Sequence, residues 1–141
     1  MSTPPTTHPS RPAPRVSDGR ELLAIAAGGA IGASLRYAVA LGIEAADQST
    51  YWATTSANLI GAFLLGLLLS HIDSRAAHPL LRPFLVIGVF GSFTTFSALA
   101  FDNRLLASQD GELLGALHMA SSIASGLVAF AAGAMLAWRH E

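Results

Sequence analysis

Apolar residues come in four long blocks, with the polar residues gathered between them. Residues 22–43 carry one charge, Arg36, while 51–70, 83–101 and 113–138 carry none. A bilayer core about 30 Å thick needs roughly 20 apolar residues at a rise of about 1.5 Å each. Each block meets that length. A helix on a soluble bundle would show a polar stripe at helical spacing, and these blocks lack one. The pattern predicts an all-α integral membrane protein with four transmembrane helices, over 22–43, 51–71, 83–106 and 113–137. The connections are short. EAADQS is acidic, HIDSRAAHPLLR is mixed and runs into Pro83, a residue suited to a helix start, and SQDGE holds a turn-forming glycine.

Composition sharpens this picture. The 141 residues suit one domain. Only 12% of them are charged, against about 25% in soluble domains. Cysteine is absent, which excludes disulfides and thiolate metal sites. Residues 1–20 hold five of the seven prolines with several Ser and Thr. They are expected to form a disordered, Pro-rich cytoplasmic tail, leaving 21–141 as the four-helix transmembrane domain. The first block exceeds a signal-peptide core and more membrane follows it, so it reads as a retained helix.

Four spans put both termini on one side. Arg11, Arg15, Arg20, Arg75, Arg82 and Arg139 fall on that side and Arg104 alone on the other, a bias of six to one. The positive-inside rule then predicts a multi-pass plasma-membrane protein with both termini in the cytoplasm. Glycines recur within the spans, including the GxxxG pair Gly28 and Gly32. Small residues let helices approach closely in lipid. Ordinary packing within one bundle explains each of them better than a dedicated dimer seam.

Polar groups inside a membrane are costly and tend to face a cavity or one another. Within the spans they are Arg36, Asn58, the cluster at 94–97, His118, Ser121, Ser122 and Ser125. Glu21, Glu44, Asp47, Asp102 and Glu112 fall at or near span ends, so no mid-span carboxylate is expected. That argues against a proton-coupled carrier. No Ser/His/Asp arrangement, HExxH or P-loop is present, so an enzyme is not expected, and nothing points to a nucleic-acid partner. The remaining groups are mainly uncharged hydrogen-bond donors, joined by the positive edges of aromatic rings. Such a set suits an anion. Taken singly, Asn58 reads as an interhelical hydrogen bond and the serines as back-bonded to their own helix. The stretch GVFGSFTTFSALAFD at 88–102 is harder to assign to packing. Gly91, Ser92 and two threonines invite a break in the third span. Irregular backbone at membrane depth is tolerated only where protein or a cavity covers it, and the carbonyls that it frees can coordinate a cation.

These residues resemble the Fluc/CrcB fluoride channels over about 22–137. GGAIGASLRY (28–37), SANLIGAFLLG (56–66) and GVFGSFTTFSAL (88–99) are similar to that family's first-, second- and third-span motifs. The resemblance implies a passive fluoride channel that relieves fluoride toxicity. It implies an antiparallel dimer with a broken third helix and two pores. The backbone carbonyls of Gly91 and Thr94 are then expected to hold a structural Na⁺, with Asn58, Phe96, Thr95, Ser97 and Ser122 along the anion pathway and Arg36 in its vestibule. Fluoride would enter acidic surroundings as HF, ionise in the cytoplasm and leave down its gradient.

Three features depart from the family. Leu99 stands where a second pore phenylalanine is expected, His118 where many members have tyrosine, and the arginine bias opposes insertion both ways. Together they suggest the half of a heterodimer with its termini inside, paired antiparallel with a paralogous subunit of opposite topology; the other pairing is an antiparallel dimer with itself. The alternatives are a small four-span secondary transporter, which would need a mid-membrane carboxylate in its first span, and a non-conducting partner subunit.

Overall fold

The computed structural model describes residues 18–46, 50–72 and 78–139. The chain forms α1 (Gly19–Ala45) and α2 (Thr50–Ile72), then a π-helical stretch Pro83–Phe90 with one α-helical turn, Gly91–Phe93 (together α3), then α4 (Phe96–Asp110) and α5 (Glu112–Trp138). Gly19–Ala45, Tyr51–Leu69, Pro83–Asp110 and Glu112–Trp138 are each long and apolar enough to cross a membrane. The chain is therefore a multi-pass, all-helical membrane protein of four spans.

The helices outrun the apolar blocks. α1 begins at Gly19 rather than at 22, and α4 continues to Asp110 rather than ending near 106. Apolarity marks where lipid must be faced, whereas backbone hydrogen bonding continues until a residue stops it. Gly111 stops α4 with a φ of 102°, a conformation that costs glycine nothing and other residues much. Residues 1–17 of the expected disordered tail lie outside the described residues, and Gly19 and Arg20 belong to α1.

α2 packs along α5, α1 along α3, and α4 against α5. Close approach depends on glycine. A Cβ on Gly28 would collide with the Phe84 carbonyl oxygen, and one on Gly32 with that of Val89. The GxxxG pair thus serves packing within the subunit, as the ordinary reading expects. Across the other seam, a Cβ on Gly66 would meet the Phe130 carbonyl and one on Gly133 that of Phe63. In lipid there is little hydrophobic force between helices, so such backbone-to-backbone contact supplies the attraction.

α3 differs from expectation. The Gly91 N–H reaches the Val86 carbonyl, five residues back, and π-turns are rare outside functional segments. A uniformly apolar run such as PFLVIGVF contains nothing that distinguishes this wider spacing from an ordinary helix.

Gly133→Val should push α5 off α2. Overpacking costs about 1–3 kcal/mol, so the thermal midpoint and the monodisperse fraction in detergent should both fall. Gly42→Ala, whose added Cβ meets nothing within 4 Å, should leave both unchanged.

Candidate functional site

The third span breaks at Thr94 and Thr95, where the backbone is extended (φ −82°, ψ 153° and φ −151°, ψ 120°). The break is expected, but it does not fall on Gly91, which keeps helical angles (φ −64°, ψ −27°). Two successive β-branched threonines, with stiff side chains that favour extended backbone, open the chain.

A break strands backbone groups, and each must find a partner at membrane depth. In a continuous helix Thr95 N–H would reach the Gly91 carbonyl. It donates instead to Asn58 Oδ1 at 2.7 Å, and Asn58 Nδ2 donates to the Thr95 carbonyl at 3.0 Å. The carboxamide mimics a strand partner for one residue. Ala98 N–H, which would reach the Thr94 carbonyl, turns to Thr95 Oγ1 at 3.2 Å, so the Thr95 hydroxyl is the N-cap of α4. The Ser92 carbonyl accepts from Arg36 Nε at 3.1 Å. The Thr95 and Ala98 N–H groups, which a continuous helix would give to the Gly91 and Thr94 carbonyls, thus go to side chains instead.

Asn58, Thr94, Thr95, Phe96, Leu99 and Ser122 line one groove of about 400 Å³ between α2, α4 and α5, open along one side. Phe96 is 68% exposed and Leu99 only 4%. Among the serines of α5, Ser121 bonds back to the His118 carbonyl at 3.0 Å, and Ser125 to that of Ser121 at 2.7 Å. Ser122 Oγ makes no such bond among the described residues, and its residue is the one of the three that lines the groove.

Two expected pathway residues sit elsewhere. Ser97 is exposed, with Oγ 3.1 Å from Thr95 Oγ1, and does not line the groove. Arg36 lines a separate cavity of about 280 Å³, with Ala53, Thr54, Thr95 and Asp102. His118 packs edge-on to Tyr51, with ring centroids 6.2 Å apart, and its buried Nδ1 has no hydrogen-bond partner among the described residues.

One expectation is overturned. Asp102 is not at a span end. It lies within α4 and is 3% exposed, and its Oδ2 has no hydrogen-bond partner among the described residues. The apolar block stops at 101, so a charge at 102 reads as a boundary, yet α4 runs on to Asp110. Thr54, 8% exposed, was also missed. It stands four residues before Asn58 on the same face of α2, and that spacing could have revealed it.

Asn58→Ala should leave the Thr95 N–H unpaired, at a cost of about 1–3 kcal/mol, and take from the Thr95 carbonyl the donor it has beyond the first bond of α4. The thermal midpoint should fall well below that of Thr95→Ala, which keeps the backbone pair and loses only a cap, about 1 kcal/mol.

Residues 23–134 match the family described as CrcB-like protein, Camphor Resistance. The fluoride-specific ion channel FluC of Idiomarina loihiensis is 40% identical over 113 residues, which is 79% of this chain and 88% of that protein. FluC of Chlorobium luteolum is 41% identical over 118 residues, 82% of this chain and 91% of its own. FluC 2 of Thermobifida fusca is 40% identical over 116 residues, 80% and 84% respectively.

Proposed function

This chain belongs to the CrcB-like protein family, and on that premise we propose that it is the subunit of a passive, fluoride-selective channel that carries cytoplasmic F⁻ out of the cell. Its work is transport, and it is not an enzyme. The observation that carries this reading is the groove at the break. It gathers an amide, hydroxyls and a ring at membrane depth without a charged side chain. Fluoride is small and holds its water tightly, so a path must replace that water with strong donors. Asn58 retains a second N–H beyond the one given to Thr95. Ser122 offers its hydroxyl, and Phe96 the positive edge of its ring. A narrow path of this kind excludes the larger chloride by size.

The groove is open on one side, and polar groups facing hydrocarbon are costly. An antiparallel dimer in the plasma membrane, with this chain's termini in the cytoplasm, would cover it. In that dimer the Gly91 and Thr94 carbonyls of both subunits hold a structural Na⁺. The diversion of the Thr95 and Ala98 N–H groups supports this, because neither carbonyl keeps its helical donor. The ion supplies positive charge near the anions and joins the two break segments.

Leu99 fills the volume of a ring without its positive edge. With the arginine bias of six to one, it supports pairing with a paralogous subunit of opposite topology. If the two ring positions of one pore come from different subunits, the pore that takes Leu99 is impaired and the pore that takes Phe96 serves. A secondary carrier finds less support, since the two acids of α1, Glu21 and Glu44, stand in its first and last turns.

Fluoride efflux from liposomes holding the purified chain, read by electrode with chloride as control, tests the reading. Expected is weak flux alone and selective flux on co-expression with a subunit of opposite charge bias. Robust flux alone would sink the heterodimer, and no selective flux in either case would leave a non-conducting partner subunit. In the conducting assembly, Phe96→Ile should reduce fluoride flux about tenfold or more, on the scale of losing one good donor contact, with little loss of folded protein.

A further inference from the structure

The cavity beside Arg36 contains a group with no role in the path described so far. Asp102 is 3% exposed, and its Oδ2 lacks a partner. A buried carboxylate oxygen without a partner is disfavoured, so its retention in a small membrane protein calls for a reason. It shares the cavity of about 280 Å³ with Arg36, Ala40, Thr54 and Thr95. Arg36 spends Nε on the Ser92 carbonyl, which leaves its terminal nitrogens for the cavity. No salt bridge joins the two side chains, so space remains between a fixed positive and a fixed negative charge. Thr95 also lines the groove with Asn58, Phe96 and Ser122. It is a wall common to both spaces, and an ion passing from one to the other must cross it.

We propose that Asp102 is the counter-charge of an antechamber to the groove and a specificity-determining residue of the channel, a reading that rests on the fluoride function above. Arg36 alone would make the antechamber an anion trap. Conduction needs sites that bind well enough to admit an ion and weakly enough to release it. The Asp102 carboxylate opposes the guanidinium and lowers the positive potential ahead of Thr95. Two consequences follow. Fluoride moves on to the groove instead of dwelling beside Arg36. Chloride is not concentrated at the threshold, so discrimination is left to the donors of the groove.

The chain has no cysteine, so Ala40→Cys places a single thiol on the antechamber wall. Full-length protein in liposomes is treated with an anionic and a cationic methanethiosulfonate of similar size, and the ratio of their rates is measured. A change in thiol ionisation affects both reagents alike and cancels in the ratio, which reports local potential. Asp102→Asn, with Asp102→Ser as a second neutral variant, should raise the anionic-to-cationic ratio about tenfold, within the range by which charged clefts alter encounter rates. Asp102→Glu should restore the original ratio. In the conducting assembly the half-saturating fluoride concentration of the neutral variants should fall several-fold. An unchanged ratio in monodisperse neutral variants would overturn the proposal. So would a thiol unreactive to both reagents, because the cavity would then be closed to ions. The rate ratio does not depend on which ion is conducted. A shifted ratio with no fluoride flux would therefore leave the counter-charge standing and remove the fluoride function.

Discussion

The two hydrogen bonds between the Asn58 carboxamide and the Thr95 backbone are the constraint on which the site depends. A helix opened inside a membrane exposes backbone N–H groups and carbonyls that lipid cannot satisfy. One carboxamide meets the Thr95 N–H and adds a donor to the Thr95 carbonyl, because it carries a donor and an acceptor side by side. With that pair in place, the extended residues at 94 and 95 become affordable, and α4 can restart at Phe96 in a new direction. Without it the third span would favour a continuous helix, which would return the Thr95 and Ala98 N–H groups to the Gly91 and Thr94 carbonyls.

The pair holds only because α2 and the break are kept close, and that closeness derives from small residues. Gly61 on α2 faces Thr94 and Phe93, where a Cβ would collide with the Thr94 methyl group. Gly66 and Gly133 seat α2 on α5, so Ser122 shares the groove with Asn58. Gly28 and Gly32 seat α1 on α3, within reach of the Arg36 bond to the Ser92 carbonyl. Arg36 thus has two duties. It satisfies the last helical carbonyl turn before the break, and it brings a positive charge to the cavity that contains Asp102. Structure and electrostatics are joined in one side chain, and loss of either function would be felt through the other.

Several of the polar side chains separate into distinct tasks once their bonds are assigned. Ser121 and Ser125 are absorbed by their own helix, as the simplest reading of an intramembrane serine expects. Ser122, between them, faces the groove. Thr94 and Thr95 are adjacent yet differ: Thr94 Oγ1 bonds back to the Phe90 carbonyl at 2.8 Å and Thr95 Oγ1 caps the next helix. The direction of each hydroxyl follows from its backbone angles, not from residue type.

The sequence by itself determined the four spans, the uncharged donor set and the presence of a break. Each is a one-dimensional property: the length of an apolar run, the kinds of side chain within it, and a local cluster of glycine and threonine. The family motifs at 28–37, 56–66 and 88–99 added the expected company of Asn58, Phe96 and Ser122, and these do share one groove. Only the tertiary structure decided which backbone atoms the break frees, because that depends on where Asn58 and Arg36 arrive from other helices. It also left Ser97 off the groove and set Arg36 in a neighbouring cavity. It turned Asp102 from an apparent boundary residue into a buried one, because a helix ends where its hydrogen bonding is stopped, at Gly111, and not where its apolar residues run out.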